Sequence, residues 1–132
     1  MVLRRVIDTN VALYLLGGRL AEGLPAGEYF ASVVTEMELL SYGGLDGDGE
    51  KAVREFLADL DIVDLTPDVK ERAILLRRGH GLKLPDAIIA ATAFTLDAEL
   101  LSNDAGFGRI PDLVCRTPAL KIPPDDEPDG GG

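Results

Sequence analysis

The chain has 132 residues, of which 46% are apolar, a size and composition typical of one domain with an ordinary hydrophobic core. Its formal net charge of −10 argues against a broad basic surface for nucleic acid. The single cysteine, Cys115, excludes an intramolecular disulfide, and no apolar run reaches the roughly 18 residues of a membrane span, so we expect a cytoplasmic protein without a membrane anchor.

The hydrophobic pattern predicts strands that alternate with helices along the chain. The predicted strands are at 1–7, 29–32, 61–65, 99–102 and 113–116. The predicted helices are at 11–16, 34–42, 66–78 and 84–96, with one more that carries 53–60. Turns are predicted at 8–10 and 104–107, and a loop at 19–27. The helix at 84–96 is apolar on nearly all sides, so we expect it to be central.

Residues 46–50 look superficially like a calcium-binding loop. An EF-hand loop needs glycine at its sixth position and a bidentate glutamate at its twelfth, where this chain has Lys51 and Leu57. The segment is therefore interpreted as a loop that caps the following helix.

Four acidic residues stand where a folded protein would normally place apolar ones. Asp8 and Asp104 each follow a predicted strand, Asp86 begins a helix, and Glu38 lies inside a helix that follows a strand. Alternating strands and helices imply a parallel sheet, and functional groups gather beyond the carboxyl ends of its strands. One rim of the sheet could therefore hold all four carboxylates.

Each acid also has a plain structural explanation. Asp8 could cap the next helix, Asp86 could favour the first turn of its helix, Asp104 could form an Asx-turn, and Glu38 could be an exposed helical residue. Four separate coincidences at one edge are harder to accept than one shared cause. A buried, unpaired carboxylate is costly, so such groups pair, shift their pKa or bind a metal.

The chemistry that uses such a cluster is metal-assisted phosphoryl transfer. Mg²⁺ and Mn²⁺ prefer carboxylate oxygens and keep several waters. His80 is the single histidine, sits between two glycines, and is expected to be a loop residue rather than a ligand. No Walker loop and no Gly-x-Gly-x-x-Gly pattern follows the first strand. Without metal, clustered carboxylates should repel, and at least one pKa should rise.

Four segments resemble the motifs of PIN-domain ribonucleases. They are VIDTNV at 6–11, SVVTEMEL at 32–39, LPDAIIAATA at 84–93 and LSNDAGF at 101–107. Each motif alone is weak, but all four occur in order at suitable spacings over nearly the whole chain outside the tail. The resemblance implies an α/β protein with a PIN-like three-layer α/β/α fold around a central, mostly parallel twisted sheet, with the nuclease domain at 1–118.

The resemblance also implies an activity and a site. The short members of the family are mostly VapC-type toxins of type II toxin–antitoxin pairs, which implies a Mg²⁺- or Mn²⁺-dependent endoribonuclease. Asp8 and Asp86 match the acids that hold metal most directly, and Glu38 and Asp104 match those that complete the site. The matching supporting residues are Thr9 and Ser102, which order the cluster, and Asn10, a turn residue that touches the site.

The implied partners are an RNA substrate, a second copy in a homodimer, and an antitoxin whose C-terminal segment enters the active-site groove with a basic side chain. Two alternatives remain open: a housekeeping PIN-domain nuclease of RNA processing, and a catalytically degenerate domain that binds a partner. The acidic, Pro/Gly-rich tail at 119–132 is expected to be disordered. Its four acids account for part of the charge, and without them −10 becomes −6.

Overall fold

The computed structural model describes residues 2–121, and its centre is a five-stranded sheet. The strands are β1 (Arg4–Ile7), β2 (Glu28–Ser32), β3 (Asp61–Val63), β4 (Glu99–Leu101) and β5 (Cys115–Arg116). Their order is β3-β2-β1-β4-β5, and every neighbouring pair is parallel. The predicted parallel sheet is confirmed.

Five α-helices and one 3₁₀ helix connect the strands. They are α1 (Thr9–Leu16), α2 (Val33–Leu40), α3 (Gly47–Ala58), α4 (Pro67–His80), α5 (Leu84–Leu96) and the 3₁₀ helix Ala105–Arg109. The predicted turn at 8–10 is shorter than expected, because Asp8 takes the N-cap position in an extended conformation and α1 begins at once. Within residues 2–121, no helix is long and apolar enough to cross a membrane.

The capping patterns explain where two of these helices begin and end. Asp46 accepts a hydrogen bond from the Gly49 amide at 2.7 Å, so the segment at 46–50 is a helix cap, as interpreted. Helix α4 ends at Gly81, whose left-handed φ of 63° an L side chain rarely adopts. The expectation that His80 lies in a loop was wrong, because the helix continues to that residue.

The two faces of the sheet carry separate cores. Val6 packs with residues of α4 and α5, whereas Ile7 packs with residues of α1, α2 and α3, because successive side chains of a strand point to opposite faces. Helix α5 is buried continuously from Ala87 to Ala93, as its apolar sequence predicts. The helices therefore cover both faces, which confirms the three-layer α/β/α arrangement.

The order of the strands creates a crevice beside β1. The chain moves from β1 outward to β2 and β3, and then returns to place β4 on the other side of β1. Such a reversal leaves an opening beyond the carboxyl ends of the central strands. Asp8 and Ser102 directly follow β1 and β4, so both lie at this opening.

The end of the described chain is tied to the loop after α1. Leu20 and Leu120 form an isolated antiparallel bridge, and the Lys121 amide donates to the Arg19 carbonyl oxygen at 2.7 Å. Residues 119–121 of the predicted tail thus take part in backbone pairing. The rest of that tail, 122–132, lies outside the described residues.

Candidate active site

Asp8 is the buried carboxylate of the site, with 4% of its surface exposed. Its amide donates to the Leu101 carbonyl oxygen at 3.0 Å, which joins the end of β1 to β4. Although Asp8 occupies the N-cap position of α1, its side chain makes no capping hydrogen bond. Instead, Oδ2 accepts a hydrogen bond from Ser102 Oγ at 2.8 Å. Simple capping therefore does not explain this residue.

Ser102 connects two of the predicted acids. Its hydroxyl donates to Asp8 and accepts a hydrogen bond from the Asp104 amide at 3.0 Å. Asp104 is exposed, and its Oδ1 accepts from the Gly106 amide at 2.8 Å. The structural explanation for Asp104, an Asx-turn that starts the 3₁₀ helix, is thus realised. The same turn holds this carboxylate near Asp8.

Glu38 is held by a pair of threonines. Thr9 Oγ1 donates to Glu38 Oε1 at 2.7 Å and lies 3.0 Å from Thr35 Oγ1. A threonine hydroxyl has one proton, and that of Thr9 is committed to the carboxylate, so Thr35 must donate to Thr9. The chain of donors runs from α2 to α1 and back to Glu38 on α2. Thr9 therefore fixes the orientation of the Glu38 carboxylate.

Asp86 lies in the first turn of α5 and is half-buried. The positive end of the helix dipole favours a negative charge at this position. Burial raises the pKa of Asp86, and the charge of the exposed Lys83, at the N-cap position of α5, offsets only part of that rise.

The acids influence one another. Burial raises the pKa of Asp8, the hydrogen bond from Ser102 opposes that rise, and the carboxylates of Asp86 and Asp104 add to it. Burial also raises the pKa of Asp86, and the charges of Asp104 and Glu38 raise it further. The expectation that clustering raises at least one carboxyl pKa is confirmed for both residues.

Three of the four acids line one open cleft of about 410 Å³. The lining residues are Asp8, Thr9, Asn10, Glu38, Ser41, Tyr42, Gly43 and Asp86. Asp104 lies outside this lining, although its charge reaches Asp8 and Asp86. The expectation that all four acids occupy apolar positions was wrong for Glu38 and Asp104, which are exposed. Their carboxylates remain hydrated and are less costly to keep charged.

Sequence reasoning missed Thr35, which is completely buried. Its signal was present: a threonine three residues before Glu38 lies on the same face of a helix, and a buried hydroxyl needs a partner. Ser41 and Tyr42 were also missed. They follow α2 and complete one wall of the cleft.

The donor set suits a hard divalent cation, with waters completing its shell. Within residues 2–121, no three acidic, histidine or cysteine side chains converge closely enough to form a ligand cage. Mg²⁺ rarely uses such a cage; it is held by one or two carboxylates and keeps several waters. Asp8 and Asp86 offer two carboxylates in a polar cleft; burial first, and neighbouring carboxylates second, raise the pKa of each, and a bound cation would oppose both effects.

A parallel sheet with helices on both faces and carboxylates at its switch point defines an α/β/α protein with a polar site for a charged ligand. The chain belongs to the PIN domain family, whose model matches residues 5–113. The family predicted from the four motifs is thus confirmed. No curated protein matches the chain.

Solved structures with the same fold come from toxin–antitoxin complexes. A chain of the toxin–antitoxin complex from Klebsiella pneumoniae is 34% identical, with a TM-score of 0.72, over 83% of this chain and 95% of that chain. A chain of VapBC2 from Rickettsia felis, bound to a DNA fragment from its promoter, is 19% identical with a TM-score of 0.74, over 90% and 100% of the two chains. A chain of VapBC-5 from Mycobacterium tuberculosis is 20% identical with a TM-score of 0.63, over 88% and 98%. The last two likenesses establish the fold alone.

Proposed function

We propose that this protein is a metal-dependent endoribonuclease that hydrolyses RNA phosphodiesters with an activated water, and that it is the toxin of a toxin–antitoxin pair. The observation that carries the nuclease proposal is the buried Asp8. It shares a cleft with Asp86 and Glu38, and the nearby charge of Asp104 contributes to the rise in its pKa. Membership of the PIN domain family supports the same chemistry. The Klebsiella pneumoniae relative supports the toxin assignment.

In this proposal each residue has a defined task. Asp8 and Asp86 would hold Mg²⁺ or Mn²⁺ most directly, and Glu38 and Asp104 would complete the site through waters. The bound ion supplies positive charge that lowers the pKa of a water and offsets charge on the phosphodiester. Ser102 fixes the orientation of Asp8 by its 2.8 Å hydrogen bond. These contacts preorganise the carboxylates, so less reorganisation is needed during reaction.

Two further residues act on the supporting side of the site. Thr9 holds Glu38 by its 2.7 Å hydrogen bond. Asn10 is exposed on the wall of the cleft beside Asp8, so its amide can contact the substrate.

The decisive experiment compares wild type with Asp8→Asn, which keeps the shape of the side chain and can still accept the Ser102 hydrogen bond. RNA ends are sequenced after brief expression, and purified protein is assayed on RNA with Mg²⁺ or Mn²⁺. We expect Asp8→Asn to abolish cleavage and growth arrest while the circular dichroism spectrum stays unchanged. Full cleavage by Asp8→Asn would refute the proposed site.

A matched pair of variants on α2 tests the assignment of Glu38. Glu38→Gln should lose most of the cleavage activity, because it removes a charge from the wall of the cleft. Glu36→Gln removes the same charge two residues earlier, outside the lining of the cleft, and should keep it. Equal losses in the two variants would mean that the site responds to net charge rather than to the position of Glu38.

The proposed protein partner is an antitoxin that covers an apolar groove next to the cleft. This groove of about 330 Å³ lies between α1, α2 and α3, and it meets the cleft at Tyr42. Its lining residues include Leu13, Leu16, Leu39 and Leu45. An apolar groove that continues into an acidic cleft fits an amphipathic segment followed by a basic side chain.

Two measurements test this partner. A small neighbouring gene that encodes a DNA-binding protein is expected, and its product should bind this chain and block cleavage. Leu16→Gln should weaken that inhibition while cleavage by the free enzyme is retained, and a melting curve measures the stability lost because Leu16 also packs against the core. Absence of such a gene, with cleavage intact, would favour a housekeeping nuclease. Absence of cleavage and of Mn²⁺ binding by calorimetry would favour a degenerate binding domain.

The homodimer stays a prediction. Sedimentation equilibrium of the purified chain checks it directly, and a monomer at all concentrations would contradict it.

A further inference from the structure

Basic residues are spread unevenly over this acidic chain. Between Glu71 and Asp86 the sequence has no acid at all, although the whole chain has a formal net charge of −10. This stretch contains Arg72, Arg77, Arg78, His80 and Lys83. The next longest acid-free stretches with basic residues, 9–21 and 113–124, hold one and two of them.

Three of these side chains form an exposed cluster at the turn between α4 and α5. Arg77 and Arg78 lie in the last turn of α4, and Lys83 directly precedes α5. All three are exposed, and none makes an ion pair with a residue between positions 2 and 121. We name Arg77, Arg78 and Lys83 the basic turn.

The basic turn lies next to the cleft. Only two residues separate Lys83 from Asp86 along the chain, and the charge of Lys83 offsets part of the rise that burial causes in the pKa of that carboxyl. Helices α4 and α5 pack along each other, so the last turn of α4 and the first turn of α5 occupy the same end of the helical pair. Positive charge is thus placed on the α5 side of the carboxylates.

The other side of the cleft has the opposite charge. The wall formed by Tyr42 and Gly43 leads into the start of α3, which carries Asp46, Asp48 and Glu50. The basic residues of α3 are paired with acids of the same helix: Arg54 Nε lies 3.2 Å from Glu50 Oε2. A polyanion that approaches the cleft is therefore repelled from the α3 side and attracted to the α5 side.

We propose that the basic turn binds the phosphate backbone of single-stranded RNA and directs it into the cleft from the α4–α5 side. The proposal rests on the proposed function, because it assigns a surface to that substrate. Contacts to phosphates supply most of the sequence-independent affinity of a nucleic-acid-binding protein. On a chain with this net charge, a local concentration of basic residues offsets the general repulsion of RNA.

The cluster also has a plainer explanation. Basic side chains at the C-terminal turn of a helix interact favourably with its dipole, and Arg77 and Arg78 stand at that position. Stabilisation of α4 would change the melting temperature but would leave RNA binding and its salt dependence unaltered. Lys83 lies beyond α4, so the dipole of that helix does not explain it.

The test measures binding of a labelled oligouridine RNA by fluorescence anisotropy at several salt concentrations. The parent protein carries Asp8→Asn so that the RNA stays intact. Arg77→Gln, Arg78→Gln and Lys83→Gln are combined in one variant. The control is Lys70→Gln, an exposed residue of the same helix, seven positions and about 10 Å before Arg77 on the same face.

Each phosphate contact on a single strand contributes about 0.7 to the slope of log affinity against log salt. We expect the triple variant to lower that slope by about 2, and Lys70→Gln to leave it unchanged. An unchanged slope in the triple variant would overturn the proposal, as would an equal drop in Lys70→Gln. Loss of antitoxin binding with an unchanged RNA slope would reassign the surface to a protein partner and would also overturn it.

Separate measurements decide the nuclease activity and the role of the basic turn. Cleavage by the unaltered chain, and its loss in Asp8→Asn, decides whether the protein is a ribonuclease. The salt slope decides whether the basic turn holds the substrate. With Asp8 intact, the triple variant should cleave RNA with a raised KM and a nearly unchanged kcat, because the basic turn contacts phosphates outside the reacting group.

Discussion

Replacement of Thr35 by valine tests whether the hydroxyl chain prepares the site. Thr35 is completely buried, and its hydroxyl donates to Thr9, which in turn donates to Glu38 at 2.7 Å. Valine has nearly the same shape but no hydroxyl. The variant therefore leaves the packing of α2 intact and removes one donor from the Thr9 oxygen.

The stability lost in Thr35→Val depends on the hydrogen bond that Thr9 keeps. A buried acceptor without its partner costs about 1–3 kcal/mol, and Thr9 keeps the bond that it donates to Glu38, so we expect a loss of about 1 kcal/mol. For a domain of this size that loss lowers the melting temperature by about 4 °C. Because the Thr9 oxygen no longer accepts from Thr35, the Thr9 hydroxyl is oriented less firmly toward Glu38, so the carboxylate is ordered less well.

The assay combines thermal melting with cleavage at increasing Mg²⁺. Thr35→Val should raise the Mg²⁺ concentration needed for half-maximal cleavage, and Thr9→Val should raise it further, because it removes the donor to the carboxylate itself. The matched control is Thr92→Val. Thr92 is equally buried and donates to the Ile88 carbonyl oxygen at 2.8 Å inside α5, away from the lining of the cleft.

One outcome would refute the reasoning. If Thr35→Val and Thr92→Val lose the same stability and show the same Mg²⁺ dependence, the hydroxyl chain only contributes to folding. If Thr35→Val alone shifts the Mg²⁺ dependence, the chain orders Glu38 for its role in the site.

Three further predictions concern charge and backbone. Burial raises the pKa of Asp8, so the native state holds this proton more tightly than the unfolded state, and ionisation above that pKa costs stability. Asp8→Asn should thus melt above wild type at pH 7 in EDTA, and a gain that persists below about pH 3.9 would contradict this cause. Mg²⁺ or Mn²⁺ should raise the melting temperature of wild type by mass action but not that of Asp86→Ala; equal melting in EDTA and Mg²⁺ would argue against a metal site. Gly27→Ala should destabilise by about 1–3 kcal/mol in urea unfolding, since its Cβ would lie 2.9 Å from the Leu3 carbonyl oxygen, a backbone atom, as well as 2.5 Å from Arg5 Nη1. Gly23→Ala, with nothing within 4 Å, should be neutral, and equal losses would contradict the steric cause.

The fold was largely predictable because two sequence signals mark its elements. One is the spacing of apolar residues, and the other is the capping residues, prolines and glycines at their ends. Thr66 followed by Pro67 predicted the start of α4, and the Thr66 hydroxyl accepts from the Val69 amide at 3.3 Å. The end of α4 was missed by two residues because glycine at 79 is tolerated inside a helix. The left-handed stop lies at Gly81, and sequence alone does not distinguish the two glycines.

The closeness of three of the candidate acids was predictable from the sequence, but their environments were not. The pattern placed Asp8, Glu38 and Asp86 around one cleft, and the structure does bring their side chains to it. Asp8 is buried and Glu38 is exposed because of the way α2 packs against α1. That packing cannot be predicted from one sequence. Thr35 was missed for the same reason, because its role exists only when α1 and α2 are in contact.

The buried carboxylate of Asp8 lowers the stability of the fold, although hydrogen bonds hold it in a fixed position. Asp8 has a raised pKa and costs stability, yet Ser102 and the Leu101 carbonyl oxygen fix it in place. Glu38 and Asp104 remain exposed, so water solvates their carboxylates and the desolvation cost of the cluster falls mainly on Asp8 and Asp86. A cation that neutralises the cleft would relieve the cost at Asp8, so metal binding and stability should be coupled most strongly through that residue. The double comparison of wild type and Asp8→Asn, each with and without Mg²⁺, measures that coupling directly.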